Sequence, residues 1–168
     1  MYHVGDQVVY GMHGVCVIAD TETKVVDGKS VIYLVLEPLG QEGARFLVPS
    51  HNPAAMGKVH AVLSREELDV LLSSDILREP SWISEEGRRK QVYRELISSG
   101  DRIRLMQMVC ALYRHRSQLS ASGKKFHLCD DNFLRDAEKL LASEVAVIMG
   151  ISINEAKQYL RTKLKEDA

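Results

Sequence analysis

The hydrophobic period of this chain changes once, and that change restricts it to a fold in two parts. Up to about residue 50, β-prone runs at 7–10, 15–19, 24–26, 30–36 and 45–48 alternate with glycine-containing turns, and Pro49 closes the last run. Asp27-Gly28 lies between two such runs. It is a hairpin signal, because a type I′ turn needs positive φ at both central positions. Short strands with glycine-rich turns point to a small barrel of the SH3 or Tudor type. From Ser64 the period is helical. Ser64-Arg65-Glu66-Glu67 has the spacing of a capping box, and Leu68, Leu71 and Leu72 form one apolar face. Arg78-Glu79-Pro80-Ser81 then interrupts the pattern and reads as a joint.

Four more helices follow. One covers 85–99 and is halted by Gly100. The next covers 101–119, with Asp101 as N-cap and Leu105, Met108, Val109 and Leu112 as its core stripe. A third runs from about 130 to Gly150 with Phe133, Ala137, Leu140, Leu141 and Ile148 on one side. The last opens on Ser152 with Glu155 three residues on, and reaches about 163. Short connections imply antiparallel neighbours in a bundle. The expected fold is α+β: a small SH3/Tudor-like β-barrel over 1–60, a connecting helix and joint over 61–80, and an all-α helical bundle over 81–168.

Charge is distributed as unevenly as period. Residues 1–75 hold five basic and ten acidic side chains, and residues 76–168 hold seventeen and thirteen, although the whole chain is near neutral at −1. Within 88–125 there are ten basic residues against two acidic, a formal +8. A block of one sign inside a balanced protein suggests either a phosphate-facing surface or a solvated helical face. The two halves suggest two modules with different partners. Trp82, the sole tryptophan, stands just before this block. It is either a plug in the interface between the two domains or a ring that wedges against bases in a minor groove.

Catalytic chemistry finds little support. His13 and Cys16, and His127 and Cys129, are close pairs, but zinc needs about four ligands and neither pair has local partners. There is no P-loop, no G-x-G-x-x-G and no paired acid arrangement. Cys16 and Cys110 lie in apolar stretches, where cysteine behaves as a small hydrophobe. Three well-separated cysteines argue against a disulfide framework. No run approaches the roughly 18 apolar residues of a membrane span. The expectation is a cytoplasmic, monomeric, non-enzymatic protein with no metal, no cofactor and no membrane partner.

Several short motifs, in order along nearly the whole chain, resemble the CarD/CdnL family of bacterial transcription regulators. They are Val4-Gly5-Asp6-Gln7-Val8-Val9-Tyr10 with His13-Gly14, Tyr33-Leu34-Val35-Leu36, Val48-Pro49, Trp82, Arg88-Arg89 and Ser99-Gly100-Asp101. The resemblance implies that the barrel docks on the β subunit of RNA polymerase. It also implies that the helical part contacts promoter duplex DNA, without sequence preference, at the upstream edge of the melted region. A tryptophan wedge there would stabilise the open complex.

On this reading Lys24, Arg45 and Leu47 contact polymerase, and Trp82, Arg88, Arg89, Lys90 and Arg94 contact DNA. Two departures stand out. Leu47 occupies the position before Val-Pro where relatives carry a basic residue, and Arg45, two residues earlier on the same strand face, is the substitute. The spacing from Trp82 to Arg88 is also longer than in the better-known members and includes Glu85 and Glu86. These acids either repel phosphate or serve the first turn of a helix. Two other readings remain: a protein adaptor whose basic helices bind an acidic partner, and an RNA-binding barrel. A 6% aromatic content and the acidic first half weigh against the second.

Overall fold

The computed structural model describes residues 1–79 and 82–166 and divides into two compact units, 1–62 and 63–168. The first is an antiparallel five-stranded sheet in the order β4-β3-β2-β1-β5, followed along the chain by helices, as the change of period requires. Its strands are β1 (Gln7–Tyr10), β2 (Val15–Val26), β3 (Lys29–Pro38), β4 (Phe46–Pro49) and β5 (Val59–Ala61). Asp27 and Gly28 have φ of 50° and 75°, the paired positive values that the hairpin requires. Val8, Cys16, Ile18, Leu34, Leu36, Val48 and Val59 make the core of this unit.

Two features differ from the sequence reading. The runs at 15–19 and 24–26 are one long strand, β2, whose register slips between Ile18 and Asp20. The slip lets one strand satisfy two alternation phases, so the pattern looked broken. The closing strand β5 and the one-turn helix α1 (Pro53–Met56) were not anticipated. β5 is only three residues long, too short for alternation to show, and Asn52 caps α1 through Oδ1, which accepts from the Ala54 and Ala55 amides.

The helical unit contains α2 (Arg65–Leu72), α3 (Glu86–Ser99), α4 (Arg102–Ala121), α5 (Leu128–Met149) and α6 (Ile153–Glu166), with a 3₁₀ turn at Asp75–Arg78. Helix α2 belongs to this unit, not to a separate connector. The joint read at 78–81 falls partly on Pro80 and Ser81, which lie outside the described residues. Both capping boxes form. Ser64 Oγ accepts from the Glu67 amide at 3.1 Å, and Ser152 Oγ accepts from the Glu155 amide at 3.1 Å. Gly100 closes α3 in the left-handed region at φ 69°, where only glycine is unstrained.

Helix α5 organises this unit. Besides its apolar residues it buries three carboxylates, and each receives an arginine from a different helix. Asp130 pairs with Arg89 of α3, Glu144 with Arg102 of α4, and Glu138 with Arg161 of α6. Positions 130, 138 and 144 fall on one side of a helix of 3.6 residues per turn. Glu144 also accepts from the Leu63 amide at 3.0 Å, and Glu138 from the Tyr113 hydroxyl. Such pairs fix the mutual register of helices, because a misplaced helix leaves a charge buried alone.

Candidate functional site

In the sheet unit, Lys24 lies on β2 and Arg45 just ahead of β4, and a single carboxylate brings them together. Glu22 is 3.6 Å from the Lys24 Nζ and 3.8 Å from Arg45, which also reaches Glu37 at 3.4 Å. The Lys24 ammonium lies 6.0 Å from the centre of the Tyr33 ring. Leu47, on β4, is 40% exposed, and Ile32 on β3 is also exposed. Because β4 ends the sheet order, its outer edge has no strand partner among the described residues. The result is a strand edge carrying Leu47 with Arg45 just ahead of it, while Lys24 lies on β2, on the far side of β3 from that edge.

In the helical unit the basic block splits into buried and exposed members. Arg89 was assigned above to DNA contact, and its position does not suit that role. It is 6% exposed and forms a two-pronged pair with Asp130, at 2.9 and 3.1 Å. Its remaining donors reach the Ile83 and Ser84 carbonyls at 3.0 and 3.4 Å. The helical spacing that puts Tyr93, Leu96 and Ile97 in the core puts Arg89 on the same stripe, and this was the available signal. Arg102 is likewise held by Glu144.

Arg88 and Arg94 are exposed and make no ion pair among the described residues. Lys90 is bound to Glu86 at 2.7 Å, and that hydrogen bond raises its pKa. Glu85 caps α3, accepting from the Gly87 and Arg88 amides at 3.0 and 2.6 Å. Both acids of the lengthened spacer therefore serve the first helical turn.

Trp82 is half-buried and packs against the helical core. Its ring stacks on His115 of α4, with centroids 3.8 Å apart and planes at 18°. The Arg89 guanidinium carbon lies 4.6 Å from the ring centre. Phe126 continues the aromatic patch, 6.4 Å from His115, with Arg116 at 6.0 Å from its ring. Burial lowers the pKa of His115, with Arg89 and His127 acting in the same direction and Asp130 opposing them. His115 and Phe126 escaped the sequence reading because they lie some 33 and 44 positions beyond Trp82, and only the α3–α4 turn returns the chain to it.

No group of three or more metal-ligating side chains exists among the described residues. Cys16 is fully buried, and burial pushes its thiol up to about 11, so it packs as a hydrophobe. No described helix is long and apolar enough to cross a membrane.

Comparison with protein families assigns both units. Residues 2–60 match the family described as CarD-like/TRCF RID domain, a Tudor-like fold, and residues 68–161 match the CarD C-terminal domain. The two matches cover nearly all of both compact units in the expected order, and the chain belongs to the CarD family, whose domains imply an RNA polymerase-interacting transcription factor.

Proposed function

We propose that this protein docks on the β subunit of RNA polymerase through its sheet unit. We further propose that the helical unit contacts promoter DNA at the upstream edge of the melted region and stabilises the open complex. The action is binding rather than catalysis. The observation that carries this reading is the setting of Trp82. Its ring is stacked on His115 and braced by Arg89, yet part of it remains open, and the exposed cation Arg88 lies near the start of the same helix that holds Arg89. A ring held rigidly from one side is suited to press against a base step, since little side-chain freedom remains to be lost on contact. Arg88 and Arg94 supply phosphate contacts that carry no sequence information.

The polymerase contact rests on the strand edge of β4 with Leu47, with Arg45 just ahead of it and Lys24 two strands in on β2. An open edge and an apolar side chain suit strand addition, and the two cations favour an acidic partner. Two measurements test the whole reading. Lys24→Glu with Arg45→Glu should abolish capture of the polymerase β subunit while leaving thermal melting unchanged. Arg88→Gln with Arg94→Gln should weaken duplex DNA binding on every sequence alike and flatten its salt dependence by roughly one to two in slope. Binding to duplex DNA that is indifferent to salt and to both arginines would favour the protein-adaptor reading instead.

A further inference from the structure

Arg89 is connected in a way that helix packing alone does not require. It is one of three arginines that reach carboxylates buried on α5. Among the described residues, the hydrogen bonds of Arg161 all end on Glu138. Arg89 divides its donors. Its Nε and one terminal nitrogen take the two oxygens of Asp130, at 2.9 and 3.1 Å. The other terminal nitrogen donates to the Ile83 and Ser84 carbonyls, at 3.0 and 3.4 Å. These are the two residues that follow Trp82. The guanidinium carbon also lies 4.6 Å from the Trp82 ring centre.

The bond to Asp130 is enough to fix α3 against α5, and the remaining contacts act on the segment that carries the ring. Residues 82–84 lie in neither helix nor strand, so their carbonyls need other partners. The fork of Arg89 supplies them, and Glu85 ends the segment by capping α3. Arginine suits this task because its donors are spread over a rigid plane, whereas a lysine ammonium donates from a single point. Arg89 itself is 6% exposed, so any effect it has on DNA passes through the half-buried ring.

We propose that Arg89 is a positioning residue for Trp82. Anchored by Asp130, its guanidinium holds the 82–84 backbone and the indole in one orientation, and the lifetime of the open complex depends on that orientation. This role rests on the reading of Trp82 as a wedge and adds that an unheld ring at the same place is not sufficient. A ring fixed in advance loses less freedom on contact than one that can turn, so more of its contact energy reaches the base step. Arg88 and Arg94 contact phosphate, while Arg89 serves the ring.

Trp82 is the sole tryptophan, so the indole fluorescence of the full chain reports this ring alone. The first variant is Arg89→Met with Asp130→Leu, which removes the fork without stranding a charge. The second is Arg89→Lys, which keeps a cation opposite Asp130 and loses the fork. Both should fold and bind polymerase, with Trp82 emission shifted to the red and more open to acrylamide quenching. Both should shorten the open-complex lifetime by about tenfold, a barrier lowered by about 1.4 kcal/mol. Arg161→Gln breaks a pair of the same kind that has no bond to 82–84 among the described residues. It should lower stability and leave emission and lifetime at the parental values.

Parental emission and quenching in both Arg89 variants would overturn the proposal, because the ring would then be held without the fork. An equal change in Arg161→Gln would overturn it too, as a sign of general loosening. Trp82→Ala, measured alongside, separates the positioning role from the wedge reading beneath it. Should Trp82→Ala shorten the lifetime while both Arg89 variants keep it, the wedge stands and the positioning role is lost. Should Trp82→Ala keep the parental lifetime, both are lost together.

Discussion

The sheet unit and the helical unit place their charges differently. Among the described residues, the sheet unit's ion pairs are solvent-facing: Lys24 and Arg45 share Glu22, and Arg45 also meets Glu37, with every side chain about a third or more exposed. Its interior is made of aliphatic side chains and Cys16. The helical unit instead draws Arg89, Asp130, Glu138 and Glu144 inside and ties three helices to α5 through them. The difference follows from geometry. Strand register is set by the alternation of buried and exposed side chains and by turn geometry, whereas packed helices can slide and rotate, and a buried pair penalises the wrong alignment. Formal charge along a sequence therefore overstates the charge a helical surface can offer to a partner.

This contrast should appear first in stability. Asp130→Ala strands the Arg89 guanidinium in the interior and should cost about 3–5 kcal/mol in chemical denaturation. Arg45→Gln in the sheet unit should cost about 0–1 kcal/mol. Replacing both members of the buried pair, Arg89→Met with Asp130→Leu, should recover most of the loss. Equal small effects in the two units would remove the distinction.

A smaller effect is expected with pH, and here the units should behave alike. His115 in the helical unit and His13 in the sheet unit both have pKa values lowered below 6.5, each chiefly by burial. As pH falls below 6.5 the unfolded chain takes up these protons before the folded one does. Stability therefore declines through that window until the folded values are passed, and it is unaffected above it. Denaturation midpoints from pH 7.5 down to about 5 test this, and His115→Gln should flatten the part that belongs to the helical unit.

The smallest effect is expected at Tyr93. Its hydroxyl is buried without a hydrogen-bond partner, and burial raises its pKa to about 12. Tyr93→Phe should leave stability within about 0.5 kcal/mol or increase it, because no bond is lost and an unsatisfied group is removed. A loss above about 1 kcal/mol would mean that the hydroxyl is satisfied in solution.

Much of this was legible in the residues. The change of period, the Asp27-Gly28 hairpin, the capping boxes at Ser64 and Ser152 and the glycine stops were local signals, and each depends on neighbouring positions. Lys24 and Arg45 come together at Glu22 from β2 and from the residues ahead of β4, across the intervening β3, which no local pattern announces. What could not be read locally was which cations are used inside the fold. Arg88 and Arg89 are adjacent and chemically identical, yet a 100° step around α3 sends one to solvent and the other to Asp130, 41 positions away. The stack beneath Trp82 depends on the same kind of distant return, from α4.

The central claim is that Trp82 is a braced contact surface for DNA rather than only a core residue. The most direct test measures thermal stability, polymerase binding and open-complex lifetime on Trp82→Ala alongside the parent. The ring is half-buried and stacked, so its loss should cost about 1–2 kcal/mol, less than the 3–5 kcal/mol typical of a fully buried aromatic. Polymerase binding should be retained, and the variant should fail to prolong the open complex. A folded, polymerase-bound variant with the parent's open-complex lifetime would contradict the account.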